Sequence, residues 1–303
     1  MAFERFAPAK VNLFLHVGSR EPDGYHPICS LMVFANVGDT VALYKNGAAG
    51  LAVDGPFAAD LADETGNLVL RARDALLSAA GSARVDFGLR LHKALPIAAG
   101  LGGGSSDAAA AMRLVRAVLD LDIPEAVWNA IAVDLGADVP ACLAGVSAIA
   151  TGRGERLASA PCFPELDAVL VHPGVPSPTA EVYRAYDQAV ASAGASAPTW
   201  PERLWSPAEV AAFLTACRND LEPPARHLRP AIGEVLDALK GQPETLLARM
   251  SGSGATCFSL CADAAAAATL AARLARARPG WWVRPCKLAG ASNEANARGR
   301  TGP

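Results

Sequence analysis

Several short segments carry residue types suited to handling a phosphate. The stretch Pro96-Ile97-Ala98-Ala99-Gly100-Leu101-Gly102-Gly103-Gly104-Ser105-Ser106-Asp107 leads into an alanine-rich helical run over 108–119. Glycines at 100, 102, 103 and 104 let backbone N–H groups approach a ligand closely. A helix start beyond them adds unsatisfied N–H groups and the positive end of the helix dipole. The alternative is a tight turn capped by Ser105, Ser106 or Asp107; four glycines followed by two hydroxyls favour the anion cradle. It is no Walker A loop, because it contains no lysine. It also fits the dinucleotide fingerprint poorly, since Gly100-x-Gly102 runs on to Ser105 and lies far from the first strand. The cation and the chemistry must come from elsewhere.

Three other places offer them. Residues 6–17 alternate as a strand, so Lys10, Asn12, Phe14 and His16 share a face, with Lys10 and Asn12 about 7 Å apart. A solvated sheet face and a site explain the pair equally well, and His16 reads as a hydrogen-bonded structural histidine. Asp138 stands between Gly136 and Pro140, in a fixed turn beyond a helix end; a turn-forming aspartate is the plain alternative. Met250-Ser-Gly-Ser-Gly-Ala-Thr256 is a second glycine-rich turn. Two glycine turns, a lysine and an asparagine on one strand face, and a restrained aspartate match what phosphoryl transfer from a nucleotide requires. A further turn over 21–27 presents Tyr25 and His26, as binding surface or as a lid on the core.

Length and composition bound the rest. A chain of 303 residues suggests two domains, and 51% apolar with 19% charged residues is ordinary globular composition. A net charge of -3 excludes a basic field for nucleic acid or a polybasic membrane patch, leaving a small-molecule partner. No apolar run has the length of a membrane span or signal peptide, so a soluble cytoplasmic protein is expected. Seven cysteines without a Cys-x-x-Cys pair read as reduced core thiols.

The elements that must position these residues follow from periodicity. Strands are expected at 41–44, 51–53, 85–92, 146–151, 168–172, 257–260 and 282–286. Helices are expected from Asn67, as N-cap, and at 125–135, 180–191, 207–217, 230–240 and 262–278. Gly136 should close the 125–135 helix in the left-handed conformation, and Thr179 should cap the helix at 180. Residues 192–202 suggest a mobile loop and 288–303 a tail. A composition shift at 158–164 places the boundary between domains 1–157 and 158–287. Strands and helices in this order predict α+β.

Pro8-Ala-Lys-Val-Asn-Leu, Gly100-Leu-Gly-Gly-Gly-Ser-Ser-Asp-Ala-Ala and Ser251-Gly-Ser-Gly-Ala-Thr resemble, in order and spacing, the three motifs of the GHMP kinase superfamily. Asp23-Gly-Tyr-His, Leu135-Gly-Ala-Asp-Val-Pro, His172-Pro-Gly and Arg218-Asn-Asp-Leu-Glu are similar to its branch acting on a cytidine-diphosphate-linked methylerythritol in the non-mevalonate isoprenoid pathway. The resemblance implies a two-domain fold with the active site in the cleft between the domains, and transfer of the ATP γ-phosphate to the substrate's 2-hydroxyl. It assigns Asp138 as base and Lys10 as its cationic neighbour, with Asn12 near the reacting hydroxyl. It implies that Pro96, Gly100, Leu101, Gly102, Gly103, Gly104, Ser105 and Ser106 hold the ATP phosphates, with Ser105 or Ser106 near Mg²⁺. Asn67 and Lys93 would contact the adenosine, though both have structural alternatives. Tyr25 and Tyr183 would sandwich the cytosine, His26 would hydrogen-bond it, and Thr179 would approach the erythritol. No magnesium ligand is assigned. One position departs from the family: Ala98 stands where glycine is usual, and a positive φ there would strain it.

Overall fold

The computed structural model describes residues 2–45, 49–61, 66–82, 86–189, 194–201, 203–204 and 206–290. It resolves two compact units, one of Met1–Ala9, Gly38–Ile97 and Gly102–Gly145, the other of Lys10–Val37, Ala98–Leu101 and Val146–Pro303. A single cut after residue 157 does not reproduce this division. The reason is that strands β1 (Ala2–Val17) and β2 (Ile28–Lys45) each supply residues to both units. Asn36, Gly38 and Asp39 interrupt the apolar run of β2, which therefore reads as separate pieces in the sequence although the strand is continuous.

In the first unit, the end of β2 pairs antiparallel with β4 (Phe87–His92), which pairs parallel with β3 (Gly50–Asp54). Helices α1 (Leu68–Ala79), α2 (Gly103–Leu119), α3 (Glu125–Leu135) and the short α4 (Val139–Ala144) bury their apolar sides in one core with these strands. Small residues let α2 come close: Ala108, Ala110 and Ala111 all lie in that core, with Met112 beside them. Asn67 caps α1 as expected, its Oδ1 accepting from Val69 N at 2.9 Å. Gly136 does not take the left-handed cap; at φ 159° and ψ 155° it is extended and turns the chain towards α4.

In the second unit, β5 (Ala148–Gly152) pairs with the start of β2 and with β6 (Arg156–Ser159). Strand β7 (Leu166–His172) precedes helices α5 (Thr179–Ala189), α6 (Pro207–Thr215), α7 (Glu222–Leu228) and α8 (Pro230–Lys240). Then come β8 (Leu247–Met250), β9 (Cys257–Cys261), α9 (Ala264–Ala277) and β10 (Trp282–Leu288), in the antiparallel order β10-β7-β9-β8. β7 is buried on both faces, which is why residues 168–171 read as an unbroken apolar run.

Two expectations fail here for a packing reason. The 194–200 part of the expected mobile loop is tied down: His16 Nδ1 meets the Ser196 carbonyl at 2.7 Å, and the Trp200 ring lies 4.8 Å from Phe213. Residues 192, 193 and 202 of that loop, and 190 and 191 of the helix expected at 180–191, lie outside the described residues. The tail cannot begin at 288, because Leu288 is buried in β10 and Ala289 N donates to Phe34 O at 2.8 Å; residues 291–303 lie outside the described residues. Among the described residues no helix is long and apolar enough to cross a membrane.

Candidate active site

Within the second unit, residues from each of the three motifs meet. Lys10 N donates to Leu101 O at 2.8 Å, and Asn12 N donates to Ser251 Oγ at 3.1 Å, which itself donates to Gly100 O at 2.9 Å. Gly100 must be glycine: its φ is +73°, and a Cβ there would stand 2.3 Å from Ser251 O. Lys10 and Asn12, 4% and 2% exposed, are not on a solvated face. Lys10 Nζ donates to Asn12 Oδ1 at 2.8 Å, Asn12 Nδ2 to Ser30 Oγ at 2.7 Å, and Ser30 Oγ to Phe14 O at 2.6 Å. An ammonium can only donate, so this relay fixes which way the Asn12 amide points.

Ala98, also in this unit, has φ +48°. The strain anticipated from its alanine is therefore present, on the order of 1 kcal/mol. Its carbonyl accepts from Ser177 N at 3.1 Å, and Ser177 Oγ donates to Ser253 O at 2.8 Å. Thr179 does not cap a following helix but begins α5, and its Oγ1 shares a hydrogen bond with Ser253 Oγ at 2.9 Å. That bond draws the threonine towards the second glycine turn.

In the first unit, α2 begins at Gly103, five residues before the expected start, so Gly103, Gly104, Ser105 and Ser106 belong to its first turns and not to a loop. Gly102 is the N-cap in left-handed conformation, and no side chain caps the helix. The capped-turn reading thus falls away. Ser106 Oγ is buried and, among the described residues, has no hydrogen-bond partner. Pro96 is buried just ahead of this stretch.

Lys93 is enclosed by acid. Its Nζ donates to Asp39 Oδ2 at 2.5 Å and Asp107 Oδ2 at 2.8 Å, and all three residues are buried. Asp39 Oδ1 accepts in addition from Ala94 N and Leu95 N. Burial pushes Asp107 up to about 7 against the pull of Lys93, with the Asp39 carboxylate adding to the rise. For Lys93 burial works against the ammonium, but Asp107 and Asp39 outweigh it and hold its pKa above the usual value. A Cβ on Gly103 would lie 3.0 Å from Lys93 Nζ, so this glycine makes room for the lysine. Lys93 is thus part of a buried cluster under the start of α2, and Asn67 Oδ1 caps α1.

Asp138 holds the N-cap position of α4 with φ -84° and ψ -14°, and its side chain makes no capping bond there. Pro140 sits in that helix's first turn, and Val139 N donates to Gly136 O at 3.0 Å. A Cβ on Gly136 would lie 3.9 Å from Ser105 Oγ, so the turn carrying Asp138 borders the start of α2.

The remaining candidates lie in the second unit. Tyr25 is 55% exposed, which excludes the lid on the core, and the Arg153 guanidinium lies over its ring at 4.1 Å. Arg153 also pairs with Asp23. His26 is buried, with Nδ1 2.9 Å from Gly18 O and Nε2 3.1 Å from Asp187 Oδ1; both ring nitrogens already have protein partners. Tyr183 packs on this imidazole at 5.2 Å between ring centroids. Asp39, Asp107, Ser30, Arg153 and Asp187 went unread in the sequence as site neighbours. Only Asp107, directly after the serine pair, carried a local signal, and that signal pointed to a cap.

Comparison with known proteins identifies the family. The family described as GHMP kinases N terminal domain matches residues 67–146, and GHMP kinases C terminal matches 206–279. The 4-diphosphocytidyl-2-C-methyl-D-erythritol kinase of Caulobacter sp. (strain K31) is 56% identical, over 96% of this chain and 99% of its own. A crystal structure of 4-(cytidine 5'-diphospho)-2C-methyl-D-erythritol kinase aligns with a TM-score of 0.74 at 35% identity, covering 95% of this chain and 100% of that one. Homoserine kinase from Cytophaga hutchinsonii, at 18% identity and a TM-score of 0.68 over 96% of each chain, shares the fold. With two family domains and a 56% identical relative aligned almost end to end, the chain belongs to the 4-diphosphocytidyl-2-C-methyl-D-erythritol kinases of the GHMP kinase family.

Proposed function

We propose that this chain carries out its family's reaction, phosphorylation of the 2-hydroxyl of 4-diphosphocytidyl-2-C-methyl-D-erythritol, with Asp138 as base and Lys10 as the cation beside the reacting oxygens. The observation that supports it most is the start of α2: a 17-residue helix without a side-chain cap, led by glycine, with Ser106 Oγ buried and unpartnered among the described residues. Unsatisfied N–H groups, a dipole end and an idle hydroxyl suit a phosphate. ATP supplies the phosphoryl group, and a magnesium ion held mainly by its phosphates and water would neutralise their charge beside Ser105 or Ser106.

The chain's own groups divide the remaining work. Gly102, Gly103 and Gly104 present backbone to the phosphates. Lys10, oriented by Asn12 and Ser30, offsets charge on the transferring oxygens. Asn12 stands next to the lysine for the acceptor hydroxyl, and Asp138, whose carboxylate does not cap its helix, receives the hydroxyl proton. Tyr25 and Tyr183 suit a flat pyrimidine. Asn67 and Lys93 would serve the adenosine only alongside the bonds they already make. A cytoplasmic location accords with an enzyme whose substrates are small and water-soluble.

A parallel phosphorylation assay with the cytidyl substrate, mevalonate, homoserine and galactose tests the specificity: transfer to the first alone is expected, and its absence would overturn the reading. Asp138→Asn should lower kcat at least ~10²-fold with little change in ATP affinity. Tyr25→Ala should raise KM for the cytidyl substrate and leave KM for ATP nearly untouched; an equal loss for both contradicts the pocket.

A further inference from the structure

We infer that Asp187 is a positioning residue for the cytidyl end of the substrate, acting through His26 to set the spacing of Tyr25 and Tyr183. The inference rests on the assignment of those two tyrosines to the cytosine, and it starts from the bonds of one imidazole. Gly18 O can only accept, so His26 Nδ1 carries a proton. The Asp187 carboxylate lies 3.1 Å from Nε2, on the opposite edge of the ring. His26 is thereby tied on one side to the chain entering its own loop and on the other to α5.

Helix α5 grips the ring with a single face. Tyr183, Tyr186 and Asp187 stand at i, i+3 and i+4. Tyr183 lies tilted at 5.2 Å, Tyr186 meets the imidazole edge-on at 5.7 Å, and the Tyr186 hydroxyl donates to Val17 O at 2.8 Å. The loop is closed by its own backbone, with Gly18 N donating to Pro27 O and Glu21 N to Tyr25 O, both at 2.7 Å. Tyr25 therefore moves with His26. Of the loop's side chains, His26 is the one buried against α5, so its contact with Asp187 fixes how far Tyr25 stands from Tyr183. Arg20 also faces Asp187, at 4.0 Å from its far oxygen and largely exposed. Asp187 is itself about a third exposed, so replacing it opens no core.

The test uses steady-state kinetics of the full chain with both substrates varied. Asp187→Ala should raise KM for the cytidyl substrate about tenfold, while kcat and KM for ATP stay within about twofold. Asp187→Asn can donate an amide N–H to a neutral His26 ring, so it should restore KM to within about threefold of the parent. Thermal melts of both variants should match the parent. Unchanged KM in Asp187→Ala, an equal rise for both substrates, or an Asn variant no better than Ala would each overturn the inference. Failure of the parent itself to phosphorylate the cytidyl substrate would remove the pocket assignment, and the inference with it; activity with no Asp187 effect would sink the inference alone.

Discussion

Two buried lysines sit near the glycine-rich stretch, and their partners differ. In the first unit Lys93 lies between the carboxylates of Asp39 and Asp107. In the second, Lys10 donates to a neutral amide, which a serine hydroxyl orients in turn. Burial alone does not distinguish a structural lysine from a chemical one. The difference lies in what the ammonium holds in place. Lys93 neutralises acid beneath α2, so its removal strands negative charge in a dry interior. Lys10 is aimed through the Asn12 amide and the Ser30 hydroxyl, an arrangement that fixes direction and suits work on a reacting oxygen.

The sharpest way to break this contrast is Lys93→Met. Leaving two buried carboxylates uncompensated should cost about 3–5 kcal/mol in denaturant unfolding, with partial recovery in the double variant Lys93→Met/Asp107→Asn. A Lys93→Met protein as stable as the parent would end the structural reading. Next comes Lys10→Met, expected to lower kcat at least ~10²-fold, about 2.7 kcal/mol of transition-state stabilisation. Turnover within tenfold of the parent would show that the relay aims at nothing essential.

The pH dependence of stability sharpens the comparison further. Asp107 has its folded pKa raised from 3.8 to about 7, so the folded state holds that proton more tightly than the unfolded chain. The stability it contributes is complete below about pH 4 and is lost as pH rises through about 7. Asp107→Asn should flatten this part of a denaturant-midpoint profile taken between pH 4 and 8; an unchanged slope assigns the proton elsewhere. The smallest effect is expected at Ala98, where glycine relieves an αL alanine but loosens the unfolded chain. Ala98→Gly should stabilise by no more than about 1 kcal/mol, read as a slight rise in the melting midpoint.

Much of this was legible in the sequence because it is local. Residues 125–135 and 230–240 show their helical period directly, and Asn67 announces its cap. Lys10 and Asn12 could be paired from strand alternation, and the glycine usual in the family at Ala98 pointed to the positive φ found there. What stayed hidden depends on distant partners. Nothing near Lys93 indicates Asp39, 54 residues earlier, and nothing near His26 indicates Asp187. The start of α2 was misread because glycine is a poor helix former; close packing against Lys93 overrides that preference at Gly103. Of the β2 strand only 41–44 was legible for a similar reason, its Gly38 allowing the Ala7 carbonyl to pass where any Cβ would stand 2.2 Å from that oxygen.

The contact between Gly100 and the turn at Ser251 bears on engineering. These positions are 151 residues apart, yet the Ser251 hydroxyl bonds the Gly100 carbonyl and the Ser251 carbonyl lies where any Cβ on Gly100 would stand, which leaves no room to absorb a mismatch. A chimaera that imported only the first glycine stretch from a distant relative would bring a carbonyl to a mould cast for another. The two segments are one component made in two pieces, and any graft should move them together.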